Sequence, residues 1–203
     1  TDDLYTVINH VLSKGFKEIV LVGLSLGGNM ILKYLGEKQY PIPEQLLCSI
    51  AVSTPCDLVS CAVKMDQKSS TFYRKRFLRM LHKKIVLKKE FFPNDISDEG
   101  FQEVQTFKQY DDRYTAPLHG FSCAEDYYQK SGCLQFLEGI NSPALLINAQ
   151  DDPFLTPKCF PYDIAQKSSS LFFEAPLHGG HVGFISFNNS GHYWHEIRAI
   201  QFI

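Results

Sequence analysis

The sequence has no apolar run approaching the ~20 consecutive residues a membrane-spanning helix needs. It has no surplus of one charge either. Its 20 Lys and Arg stand against 22 Asp and Glu, for a net −2, so nothing in the global balance points to nucleic acid or an anionic membrane, and no nucleic-acid partner is expected. None of the six cysteines (Cys48, Cys56, Cys61, Cys123, Cys133, Cys159) belongs to a CxxC pair. Several lie in apolar runs, as Cys48 does in 46–52, which suits small buried thiols and predicts a reduced, cytoplasmic protein. Internal repeats, low-complexity tracts and separating linkers are missing as well. Nothing at the start reads as a signal peptide. The chain opens at Thr1 within a pattern typical of the middle of a fold, so that absence carries little weight: targeting information upstream would be out of view.

What is present is an ordinary globular composition, 44% hydrophobic and 21% charged over 203 residues, enough for one sizeable domain. Thr1 or Asp2 can cap a first helix whose Leu4, Val7, Ile8, Val11 and Leu12 recur at helical spacing, and Gly15 is placed to stop it. The run 18–24 is short, apolar and rich in β-branched residues, as a strand buried on both faces should be. After 25–28 a second helix is predicted, running to between 34 and 38 with Ile31, Leu32 and Leu35 inward. Further buried strands are predicted at 46–53, 144–149 and 170–175, and helices at 158–167 and 193–202. This alternation argues for an α/β fold with a mostly parallel sheet and helices on both faces. Residues 56–137 show only helical patterns and loops, which predicts a helical insertion forming a lid or cap. Its many Phe and Tyr residues suggest an apolar pocket for an acyl group.

The segment Gly23-Leu24-Ser25-Leu26-Gly27-Gly28 fits G-x-S-x-G with a strand entering and a helix leaving. A serine at the tip of such a turn is held in a strained conformation, and flanking glycines let the two arms pack closely. The N–H of Leu26 at the helix start can stabilise an oxyanion. A serine hydroxyl needs a general base, and in this chain order an acid and then a histidine should follow late strands. Strand 144–149 ends in Gln150-Asp151-Asp152-Pro153, and strand 170–175 leads to His178-Gly179-Gly180-His181. Asp152 is preferred to Asp151 because it directly precedes Pro153 at the loop tip. Asp151 is left to cap or brace the turn. His181 is preferred to His178 because the glycines before it give the ring room to reach back. The predicted triad is Ser25, Asp152 and His181.

Several segments resemble the YheT-like branch of the α/β hydrolases, esterases related to eukaryotic abhydrolase-domain proteins. They are 23–29 with Lys33-Tyr34-Leu35-Gly36, the run Asp111-Asp112-Arg113-Tyr114-Thr115-Ala116-Pro117-Leu118-His119-Gly120-Phe121, Asp126-Tyr127-Tyr128, 148–155, and Gly179-Gly180-His181-Val182-Gly183-Phe184. The resemblance implies the α/β-hydrolase fold, with nucleophile, acid and base falling on Ser25, Asp152 and His181. It also implies hydrolysis of small-molecule carboxylic esters of short-to-medium, lipid-like acyl chain, without metal or cofactor. Members of the branch begin with further strands, one of whose loops supplies a second oxyanion donor. Those first strands are not in this sequence, so half of the oxyanion hole and an exposed apolar edge at 18–24 are expected. A non-catalytic fragment or interaction module of the same fold is the alternative reading. Oligomeric state is left open.

Other signals are weaker. Arg74, Lys75, Arg76, Arg79, Lys83, Lys84, Lys88 and Lys89 are interleaved with apolar residues. They read either as a membrane-surface or nucleic-acid helix or, preferred, as a helix of the insertion with its charged face in water. His192, His195 and Glu196 lack the order of a zinc motif. Asn188-Asn189-Ser190 fits the glycosylation sequon by composition alone. His119 is expected to be structural or pocket-lining.

Overall fold

The computed structural model describes residues 1–188 and 191–203, so two of the three sequon residues lie outside the described residues. In chain order the elements are α1 (Asp2–Ser13), β1 (Ile19–Leu24), α2 (Leu26–Gly36), β2 (Leu46–Val52), α3 (Leu58–Asp66), α4 (Thr71–Phe91) and α5 (Phe107–Tyr110). A π-helical turn at Asp111–Thr115 runs into α6 (Ala116–Leu118), followed by α7 (Ala124–Ser131), β3 (Ala144–Ile147), α8 (Tyr162–Lys167), β4 (Leu171–Glu174) and α9 (Trp194–Phe202). The chain divides into two compact units, Thr1–Asp57 with Ser131–Ile203, and Leu58–Lys130.

The first unit is built on a parallel sheet of order β1-β2-β3-β4. Val22, Ile50, Leu145 and Phe172 stand in register, so by strand alternation they share one face. On that face Ile50, Val52, Leu145 and Ile147 form a core with Phe184, packed by Trp194, Ala199 and Phe202 of α9. The opposite face carries Gly23 and Ala51, against which Gly28 of α2 lies. Helices on both faces explain why β2 and β3 are apolar almost throughout. β1 forms one edge and leaves Val22 and Leu24 exposed.

Two local expectations need correction. The predicted helix at 158–167 is broken: a 3₁₀ turn at Pro157–Cys159 precedes α8, with Pro161 between them. Proline lacks the N–H an uninterrupted helix would require. Thr1 occupies the N-cap of α1 but its side chain makes no capping bond; the acidic Asp2 and Asp3 of the first turn complement the helix dipole instead.

The second unit is helical, and the distinctive 111–121 segment fastens it together. Asp111 accepts hydrogen bonds from Tyr128 Oη (2.6 Å) and Thr115 Oγ1 (2.5 Å). Asp112 accepts from the Ala124 N–H at the start of α7 (2.7 Å). Tyr114 Oη donates to the Ser97 carbonyl (2.9 Å), and its ring packs with Ile85, Ile96 and Phe101. Burial raises the Asp111 carboxyl above its ordinary value, against those two hydrogen bonds. His119, which ends α6, is exposed.

Candidate active site

The turn from β1 to α2 is as tight as its glycines permit. A Cβ on Gly23 would stand 2.5 Å from the Gly27 carbonyl carbon, and one on Gly28 would stand 2.1 Å from Thr54 Oγ1 and 3.2 Å from Ala51 Cβ. Neither position admits a side chain without backbone or core movement. Gly27 meets nothing within 4 Å, so the last glycine of the G-x-S-x-G pattern is not the one that packing requires. Ser25, between the two arms, has φ 54° and ψ −120°, a region costing a non-glycine residue on the order of 1–3 kcal/mol. The turn is held by Ser25 N–H donating to the Val52 carbonyl (2.8 Å) and by Asn29 N–H donating to the Ser25 carbonyl (3.1 Å). Leu26 is the first residue of α2, where N–H groups have no intrahelical acceptor.

Two later loops bring the other predicted residues to this turn. Asp152 follows β3 with its side chain fully buried; its Oδ1 accepts from Phe154 N–H (2.8 Å), and its Oδ2 lies 2.8 Å from His181 Nδ1. His181 follows β4, and its Nε2 lies 3.0 Å from Ser25 Oγ. An acid at Nδ1 fixes the tautomer with Nδ1–H donating, which leaves Nε2 free to accept the serine proton. Ser25, His181 and Asp152 are thus brought into one continuous hydrogen-bonded line.

Asp151 and His178, the alternatives set aside from sequence, lie beside this line rather than in it. Asp151 Oδ1 accepts from the N–H groups of Gly179 (2.9 Å) and Gly180 (2.8 Å), and Oδ2 lies 3.4 Å from the exposed His178 ring. The acid loop therefore grips the histidine loop two residues before His181. Phe184 grips it from the other end: its N–H donates to the Gly179 carbonyl (2.8 Å) and its ring is buried with Trp194. His195, partly buried against Phe184, has its pKa lowered by desolvation. Among the described residues no three His, Cys, Asp or Glu side chains gather as a metal site.

Two contributors carried no chemical signal in the sequence. Asn148 is buried at the end of β3, accepts from Thr54 N–H (2.7 Å), and donates to the carbonyls of Thr54 (3.1 Å) and Cys159 (2.7 Å). It ties the loop after β2 to the segment after the acid. Phe154 packs edge-on to the His181 ring, with centroids 4.5 Å apart. Asn148 and Phe154 both lie in 148–155, one of the segments that carry the family resemblance, which assigns a role to neither.

A family model described as the alpha/beta hydrolase fold matches residues 2–187. The chain is 32% identical to human monoacylglycerol lipase ABHD2 over 82% of this chain and 42% of that protein. It is also 32% identical to the Escherichia coli protein YheT over 84% of this chain and 50% of that one. It therefore spans about half or less of the length of these curated relatives. Among solved structures, the monoacylglycerol lipase of Paleococcus ferrophilus superposes with a TM-score of 0.52 at 14% identity, covering 99% of this chain and 74% of that one, a likeness of fold. Matched by that family model from its first helix to beyond the loop that holds His181, this chain belongs to the alpha/beta hydrolase fold family.

Proposed function

We propose that the chain carries the nucleophile, base and acid of a serine hydrolase acting on carboxylic esters. The reading rests on one observation: Ser25 Oγ, both ring nitrogens of His181 and the buried Asp152 carboxylate lie in sequence at 3.0 and 2.8 Å. In the first step His181 Nε2 takes the Ser25 proton as Oγ bonds to the ester carbonyl carbon. The carbonyl oxygen gains the negative charge and the Leu26 N–H donates to it at the positive end of α2. Collapse of this intermediate breaks the bond to the alcohol, which leaves with the proton from His181. Water then repeats the sequence on the acyl-enzyme and releases the acid. Asp152 stabilises the imidazolium throughout.

The curated relatives named monoacylglycerol lipase support a lipid-like ester as substrate; the short-to-medium acyl chain is what the family resemblance implies, and we propose it on that ground alone. We also infer a reducing, cytoplasmic setting from six cysteines that form no disulfide among the described residues. The test is hydrolysis of p-nitrophenyl esters across a series of acyl lengths, by the chain and by its Ser25→Ala variant. Turnover confined to the parent and falling with acyl length supports the reading; equal turnover by both refutes it.

A further inference from the structure

α4 is unlike the rest of the chain. Its 21 residues carry eight Lys and Arg and one acid, Glu90, a net +7 that leaves −9 on the remainder of a chain totalling −2. Two of the basic residues are used internally: Lys89 pairs with Asp98 (2.8 Å), and Arg74 donates to the carbonyls of Met65 and Gln67. The other six, Lys75, Arg76, Arg79, Lys83, Lys84 and Lys88, are exposed and have no hydrogen-bond or ion-pair partner among the described residues. Leu78 and Ile85 bury the opposite face within the second unit.

A helix that only turns a charged face to water would be polar there. This one is not. Phe72 is 73% exposed, Met80 49%, Leu87 57% and Phe91 77%. At 3.6 residues per turn these four fall within a sector of about 100°. Arg76 and Lys83 lie inside that sector and Arg79 and Lys84 border it. Basic side chains of this length bury their stems beside apolar neighbours while their heads stay in a polar layer.

We propose that α4 is a docking surface for a membrane leaflet bearing anionic headgroups. The six unpaired cations meet the headgroups, while Phe72, Met80, Leu87 and Phe91 enter the acyl boundary. The aliphatic Met80 and Leu87 at the centre of the face offer nothing to a phosphate backbone, which favours lipid over nucleic acid. A second copy of the helix is opposed by its like charge.

The inference is independent of the esterase reading, and its test reads binding alone. The whole chain is sedimented with vesicles of phosphatidylcholine containing phosphatidylglycerol, and with phosphatidylcholine alone, alongside binding to a single-stranded oligonucleotide. Binding is expected to the anionic vesicles only, and to weaken as salt rises from ~0.1 to ~1 M. The paired change Lys83→Gln with Lys84→Gln should weaken it roughly 20- to 30-fold, taking about 1 kcal/mol per cation and tenfold per 1.4 kcal/mol. Met80→Ser with Leu87→Ser should weaken it by at least about tenfold. All four side chains are exposed, and an unchanged thermal midpoint for both variants shows that folding is not the cause. Equal binding to both vesicle types, no vesicle binding, or an undiminished charge variant overturns the proposal. Binding to the oligonucleotide without the vesicles overturns it in favour of a nucleic-acid partner.

Discussion

His181 donates from Nδ1 to Asp152 Oδ2 across 2.8 Å, while the other oxygen of the same buried carboxylate is committed to the Phe154 N–H. The two bonds together make the acid hard to replace by its amide. In Asp152→Asn the amide oxygen would stay with Phe154 and turn its NH₂ toward the ring. A donor there reverses the tautomer, so that Nε2 carries the hydrogen and can no longer accept from Ser25. A fall in kcat of roughly 10³–10⁴ with little change in KM is expected. Steady-state kinetics on a variant of unaltered circular dichroism checks it, and a fall below tenfold speaks against this role.

The elbow glycines separate by position, not by motif. Gly28→Ala drives a methyl into Thr54 Oγ1 at 2.1 Å and should cost roughly 1–3 kcal/mol of stability. Gly27→Ala meets open space inside a helix and should be neutral or gain up to about 1 kcal/mol. Urea denaturation of both variants provides the comparison. Equal destabilisation would show that the observed close approach is not what fixes these residues.

Asp151 should leave a signature in acid. The Gly180 N–H holds its carboxyl below the ordinary 3.8, aided by Gly179 N–H and His178 and opposed by partial desolvation. Unfolded, the group titrates near 3.8, so its contribution is complete above that value. It is lost as the pH falls through the lower folded value. Asp151→Asn can still accept from both N–H groups but lacks the charge. Its melting temperature should lie below that of the parent at neutral pH, and the gap should close in acid. The effect is small because the carboxylate is partly exposed. A gap that is constant with pH contradicts it.

The sheet was legible because burial on both faces writes continuous apolar runs, and the four strands were predicted to within a residue or two of β1, β2, β3 and β4. The approach of Ser25, Asp152 and His181 followed from chain order, since each residue sits just after a strand of one parallel sheet. Pro161 is visible in the sequence, yet the helical spacing on either side of it conceals the break between the 3₁₀ turn and α8. Asn148 and Phe154 stayed silent for a different reason. Their roles are to satisfy backbone groups of Thr54 and Cys159 and to pack on His181, partners that spacing along the chain does not reveal. The exposed apolar sector of α4 was likewise hidden. Its interleaved basic and apolar residues read as a helix with its charged face in water, and only the observed burial of Leu78 and Ile85 shows which apolar residues are left outside.

The most direct test of the account is covalent labelling with a fluorophosphonate, followed by mapping of the modified peptide. Such a probe reacts with a serine only when a neighbouring base removes its proton. One label per chain on Ser25, absent from Ser25→Ala and strongly reduced in Asp152→Asn, is the predicted result. Label on another residue, or label that persists in Ser25→Ala, would contradict it.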